Sequence, residues 1–125
     1  MSDHLGIQEF LRLSGRYQQL RESFPSFAEQ TLLSPQAAFE AYYTDDSGWW
    51  GQCKREGLFP FAYSGDGDLL TLPADSSRIV LFLHDYANDP VEEAFWKTSV
   101  TLEEFIEKMR LSECDDFEWL YKAAI

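Results

Sequence analysis

The stretch LFPFAYSGDGDLLTL, from Leu58 to Leu72, decides the fold of this chain. Aromatic and aliphatic residues stand on both sides of an acidic, glycine-containing centre, which is typical of two strands joined by a turn. Glycine tolerates positive φ and aspartate favours turns, so the centre predicts the turn itself. Asp66 and Asp68 are therefore predicted to shape a turn between two strands, at a surface position where they could also meet a partner.

Further strands are predicted on both sides of this stretch. The segment RIVLFLHD, from Arg78 to Asp85, is an unbroken run of β-branched and aromatic residues and predicts the strongest strand. The segment from Ala94 to Val100 predicts another. Trp49 and Trp50 are predicted to open a strand, in which alternation would send one ring inward and the other outward.

Helices are predicted at both ends of the chain. The segment from Leu5 to Arg21 carries apolar residues at helical spacing. Ser34-Pro35 places an N-cap residue before a proline that suits the first helical position. Thr101 and Glu104 form a capping box for a third helix, and a fourth follows it. The order helix, helix, strands, helix, helix predicts an α+β fold, in which N-terminal and C-terminal helices flank an antiparallel sheet.

Charge is the unusual bulk property of the sequence. Ten Lys and Arg residues against 22 Asp and Glu residues give a formal net charge of −12. Such a surface repels phosphate backbones, so direct nucleic-acid binding is disfavoured. It attracts basic partners, although acidic residues also promote solubility without any partner.

Length and cysteine usage set the broad class. The 125 residues suit a single domain, 1–125, and no apolar run is long enough to span a membrane. The N-terminus does not resemble a secretory signal, so a cytoplasmic location is expected. Cys53 and Cys114 are far apart in sequence, as expected of two ordinary reduced cysteines rather than a disulfide framework or a zinc motif.

Motifs for catalysis and metal binding fail on their spacing. A calcium loop starting at Asp66 would place leucines at ligand positions, and a nucleophile elbow around Ser64 would lack its glycines. No phosphate-binding loop or dinucleotide fingerprint occurs. The sequence therefore predicts no catalytic residue, metal or cofactor. A small hydrolase that uses His84 and a nearby carboxylate remains as the enzyme alternative.

Three segments together resemble the SUKH superfamily, which includes a yeast cell-wall-assembly regulator and many bacterial immunity proteins. In that family a segment like Phe59-Pro60-Phe61-Ala62 precedes a Gly-Asp step, here Gly67-Asp68, and a later strand ends in a polar pair, here His84-Asp85. An N-capped helix follows, here with Thr101, Glu104 and Phe105. The resemblance covers residues 57–110, whereas the N-terminal half departs from the family pattern.

The resemblance implies an α+β protein-binding domain rather than an enzyme. Many bacterial relatives bind and neutralise a cognate toxin, often a nuclease or a deaminase, and an acidic inhibitor would be steered to a basic toxin. A regulatory adaptor without a toxin partner is the first alternative. The expected partner-binding surface combines aromatic anchors with an acidic rim, and its residues are Trp49, Trp50, Asp45, Asp46, Asp66, Asp68, Asp85 and Asp89.

Overall fold

One antiparallel sheet forms the centre of the fold. The computed structural model describes residues 3–64, 66–86 and 91–125. Within these ranges the sheet has four strands in chain order, and each pairs with the next in antiparallel fashion. They are β1 (Phe59–Tyr63), β2 (Leu69–Leu72), β3 (Arg78–Phe82) and β4 (Phe95–Thr101). The predicted α+β fold with an antiparallel sheet is confirmed.

Helices precede and follow the sheet, and none in the described ranges has the length and apolar character needed to cross a membrane. The predicted capping box is present, since the Thr101 hydroxyl accepts the Glu104 N–H at 3.2 Å and the Glu104 carboxylate accepts the Thr101 N–H at 2.9 Å. The six α-helices described are α1 (Leu5–Ser23), α2 (Pro25–Thr31), α3 (Pro35–Thr44), α4 (Gly48–Arg55), α5 (Leu102–Leu111) and α6 (Glu118–Lys122).

The strand predicted at Trp49 and Trp50 is wrong, because both residues belong to α4. Tryptophan favours strands only where its surroundings are those of a sheet, and here tertiary packing decides the conformation. A helix places Trp50 and Cys53 three residues apart on one face, where both contact the same apolar cluster. Gly51 permits this path, since a Cβ there would lie 2.1 Å from the Asp46 carbonyl oxygen.

Two other elements differ from the sequence prediction. Helix α2 was not predicted, although Pro25 stands at its first position, where proline is favoured. Strand β3 ends at Phe82 instead of Asp85, and residues His84–Tyr86 form a 3-10 turn. The Leu83 N–H donates to the Ala94 carbonyl at 2.8 Å, and the chain turns away from the sheet after that bond. The polar pair at 84–85 therefore lies beyond the strand.

The two faces of the sheet carry cores of different size. Successive side chains of a strand point to opposite faces, so Ile79 and Leu81 join the large cluster, whereas Val80 and Phe82 join a small one. The large cluster includes buried residues of α1 and α5. The small cluster contacts Trp50 of α4 and consists of Cys53, Leu58, Leu69, Val80, Phe82 and Ala94.

Candidate functional site at one end of the sheet

Antiparallel pairing brings Asp68 and His84 together. Asp68 immediately precedes β2, and His84 follows shortly after β3. Because Leu69 pairs with Phe82, the start of β2 lies beside the end of β3. The Asp68 Oδ1 atom lies 2.6 Å from His84 Nδ1, and it also accepts the main-chain N–H of His84 at 3.1 Å. The Gly-Asp step and the His-Asp pair of the family resemblance are therefore in contact.

Tyr121 of α6 completes this arrangement. Its hydroxyl donates to the second carboxylate oxygen of Asp68 at 2.8 Å, so both oxygens of Asp68 are hydrogen-bonded. Only 13% of the Asp68 side chain is exposed. We call these three residues the Asp68 clamp, since they tie the C-terminal helix to the end of the sheet. The sequence offers no means of pairing Tyr121 with a residue 53 positions away.

The residues before β2 form the predicted turn, which is confirmed. The Ser64 N–H donates to the Asp68 carbonyl at 2.9 Å, and the Ser64 hydroxyl accepts the N–H groups of Asp66 and Asp68 at 3.2 and 3.1 Å. Gly67 has φ +100°, which favours glycine, and a Cβ there would touch the His84 ring at 3.6 Å. The two aspartates differ in role: Asp68 is the acceptor of the clamp, whereas Asp66 is exposed.

The imidazole of His84 lies between two carboxylates. Its Nε2 atom is 3.2 Å from Asp85 Oδ1, and the Asp85 side chain is 81% exposed. The hydrogen bond to Asp68 raises the pKa of His84 above its ordinary value, although desolvation opposes the shift. Burial raises the pKa of the Tyr121 hydroxyl, and its bond to Asp68 adds to that effect. The site therefore favours a protonated histidine and a neutral tyrosine.

The arrangement resembles a general-base dyad only in that an aspartate orients the histidine. A catalytic histidine that is oriented by an aspartate directs its other nitrogen at a nucleophile. Here that nitrogen faces Asp85, and the nearby Ser64 hydroxyl accepts two amides of its own turn. The groups of the clamp are thus engaged with one another and with the backbone.

The two predicted tryptophans lie on α4 and are not members of the clamp. Trp49 is 38% exposed, and its ring centroid is 5.6 Å from that of Phe82. Trp50 is partly buried against the small cluster. The predicted strand alternation of these two rings is therefore wrong: both lie on a helix, with Trp49 exposed and Trp50 partly buried.

The acidic residues near α4 are already engaged with neighbours. Lys54 Nζ lies 2.6 Å from Asp46 Oδ1 and also donates to the Asp45 carbonyl at 3.3 Å. The Asp45 carboxylate accepts the N–H and hydroxyl of Ser47, and these bonds lower the pKa of Asp45. The structure therefore gathers Asp66, Asp68 and Asp85 around one histidine and leaves Asp45 and Asp46 with a lysine. Asp89 lies outside the described residues.

An acidic cleft of about 460 Å³ lies between the turn and α6. Its apolar lining comes from Phe27, Phe117 and Tyr121, and Lys122 also lines it. Its acidic lining consists of Asp66, Asp68, Asp115, Asp116 and Glu118. We use the term acidic end for the exposed carboxylates around the clamp, namely Asp66, Asp85, Asp115, Asp116 and Glu118.

Two exposed aromatic residues at this end were missed by sequence reasoning. Tyr86 follows Asp85 directly, and Trp96 is the second residue of β4. Their ring centroids are 5.9 Å apart. The alternation of β4 could have indicated one of its aromatic residues as exposed, but nothing in the sequence places Tyr86 beside it.

Comparison of the chain with models of protein families, with curated proteins and with solved structures finds no match.

Proposed function

We propose that this chain is a non-enzymatic protein-binding domain of the immunity type, which binds and neutralises a basic toxin domain in the cytoplasm. The observation that carries the proposal is the uneven distribution of paired charge over the surface. The resemblance to SUKH proteins supplies the class of partner, a nuclease or a deaminase. The acidic end supplies the surface that such a partner would contact.

Most ion pairs of the described residues lie on α1 and α5, among residues that do not belong to the acidic end. On α1 and α5, arginines neutralise glutamates, and Arg16 bridges the two helices through Glu103 at 3.0 Å. Near the start of α4, Asp46 is neutralised by Lys54. At the acidic end, by contrast, no carboxylate forms an ion pair with a described Lys or Arg. The residues of the α1–α5 network are Glu9, Arg12, Arg16, Glu103, Glu107 and Arg110.

An acidic surface whose described carboxylates are not neutralised by Lys or Arg favours a basic partner. Complementary charge accelerates encounter and selects among partners, and nucleases are commonly basic around their substrate site. The Asp68 clamp supports a binding role as well, because its bonds join the turn that carries Asp66 to His84, the neighbour of Asp85. Its histidine has both ring nitrogens beside carboxylates, which favours a structural role over general-base chemistry.

The proposal is tested by isolating the partner and measuring growth. The tagged chain is used to capture proteins from its source cell at low and at high salt, and each captured protein is expressed in a bacterial host with and without this chain. We expect a basic protein that is released by salt, stops growth when expressed alone, and is tolerated when this chain is co-expressed.

A charge-matched pair of variants tests the surface. Asp66→Asn/Asp85→Asn is expected to weaken binding of the captured toxin by about tenfold, since two exposed charge pairs contribute about 1.4 kcal/mol together. Glu29→Gln/Glu40→Gln changes the net charge equally at exposed positions on α2 and α3 and is expected to bind as the unaltered chain does. Captured proteins that are all non-toxic would contradict the proposal and favour the adaptor.

A further inference from the structure

An exposed aromatic pair, Tyr86 and Trp96, borders the acidic end. Tyr86 is 43% exposed and Trp96 is 36% exposed. Their ring centroids are 5.9 Å apart with an interplanar angle of 36°. Large aromatic residues that remain exposed side by side are typical of protein-binding surfaces.

Both residues donate hydrogen bonds to nearby main-chain carbonyls. The Trp96 indole N–H donates to the Glu93 carbonyl at 3.1 Å, and Trp96 pairs with Leu81 across β3 and β4. The Tyr86 N–H donates to the Leu83 carbonyl at 3.0 Å. The Trp96 ring and the Tyr86 backbone are therefore positioned before any partner arrives, which lowers the entropy lost on binding.

Two lysines of this chain lie over other aromatic rings. Lys54 Nζ lies 5.5 Å from the centroid of Tyr42, and Lys108 Nζ lies 4.5 Å from that of Trp119. Among the described residues, no Lys or Arg lies over Tyr86 or Trp96. Lys97 is adjacent to Trp96 in β4, but it pairs with Val80, so alternation directs its side chain to the other face of the sheet.

Carboxylates stand next to this pair. Asp85, which is 81% exposed, directly precedes Tyr86, and exposed Glu93 supplies the carbonyl that holds the Trp96 indole. Aromatic faces without a cation of their own, with carboxylates beside them, are the surroundings that attract a guanidinium or an ammonium group. The charge of the surroundings thus specifies a cationic occupant.

We propose that the Tyr86–Trp96 pair is the docking point for an arginine or lysine side chain of a basic protein partner. The cation lies against the aromatic rings, beside the exposed residues Asp85 and Glu93. This inference rests on the proposed function for the identity of the partner. It adds the position of the aromatic anchor, which is this pair rather than Trp49 and Trp50.

A defined peptide tests the docking point without the toxin. The full chain is titrated by NMR with blocked hexa-arginine at low ionic strength, and in parallel with hexa-citrulline, which keeps the planar side chain but lacks its charge. We expect hexa-arginine, and not hexa-citrulline, to shift the Trp96 indole N–H and the Tyr86 ring resonances. Equal shifts with both peptides, or shifts confined to Asp66 and its turn, would overturn the inference.

Variants measure the contribution of each ring. Tyr86→Leu and Trp96→Leu are each expected to weaken hexa-arginine binding about threefold, the effect typical of an exposed cation–π contact. Tyr43→Leu removes another exposed aromatic residue, on α3, and is expected to leave the affinity unchanged. An equal loss in all three variants, or no loss in the first two, would contradict the docking point.

The two proposals fail in different ways. If the unaltered chain binds hexa-arginine at Tyr86 and Trp96 but neutralises no captured toxin, the docking point stands and the proposed function is wrong. If a toxin is neutralised equally well by Trp96→Leu and by the unaltered chain, the proposed function stands and the docking point is wrong.

Discussion

Removal of the Asp68 carboxylate is expected to loosen the joint between the sheet and α6. In Asp68→Ala, three donors lose their acceptor: the main-chain N–H of His84, its imidazole, and the Tyr121 hydroxyl. Hydrogen bonds to charged groups contribute more than neutral ones, but water reaches part of this site and replaces some of the loss. We therefore expect the free energy of unfolding to fall by about 2–3 kcal/mol.

The loss should depend on pH because of His84. Its pKa is raised in the folded state by the bond to Asp68, above the value of about 6.5 expected in the unfolded chain. A raised pKa contributes stability that is fully present below the unfolded value and is lost as the pH rises through the folded value. Asp68→Ala should consequently cost more near pH 6 than near pH 9, because the stabilisation declines as the pH rises through the pKa of the folded state.

Urea denaturation followed by tryptophan fluorescence measures both effects. Tyr121→Phe removes one hydroxyl and should cost about 1 kcal/mol at either pH. Asp75→Ala alters an exposed aspartate between β2 and β3 and should change the stability by less than about 0.5 kcal/mol. A cost for Asp68→Ala below about 0.5 kcal/mol, or the same cost at both pH values, would refute the role assigned to the clamp.

Three further predictions concern local structure. Gly67→Ala should lower the free energy of unfolding, measured by urea denaturation, by about 1 kcal/mol because φ is +100° at that position. Gly15→Ala, in open space on α1, should raise the free energy of unfolding by about 0.5–1 kcal/mol. A change of the same sign in both variants would contradict the backbone argument. Thr101→Ala should cost about 1 kcal/mol by the same assay through loss of the capping box, and Thr101→Ser should restore most of it. Burial raises the pKa of Cys53 to about 12 and that of Cys114 to about 11, so a thiol reagent near neutral pH should modify neither until urea unfolds the chain.

Local signals in the sequence were sufficient for much of the fold. Ser34-Pro35 and the Thr101–Glu104 capping box mark helix starts through bonds made within four residues, and such bonds depend little on the rest of the chain. Strand β2 and the turn before it were likewise predicted from neighbouring residues along the chain. Strand limits and the conformation of Trp49–Trp50 were mispredicted, because packing against the sheet outweighs strand propensity there.

The candidate site was predictable only in part. Asp66, Asp68 and Asp85 were named from the sequence, and the structure gathers them around one histidine. The sequence could not separate an aspartate that accepts three hydrogen bonds from one that faces solvent. It also could not connect Tyr121 to Asp68, or Tyr86 to Trp96, because these contacts depend on strand register and on the docking of α6.

The sequence by itself determined the α+β class, the acidic surface, the helix caps and the glycine turn, since each follows from composition or from neighbours along the chain. Only the tertiary structure decided which carboxylates are engaged and which remain exposed. Antiparallel register places Asp68 beside His84, and the packing of α6 brings Tyr121 to Asp68. Burial and long-range pairing arise when the chain closes on itself, so no local pattern specifies them.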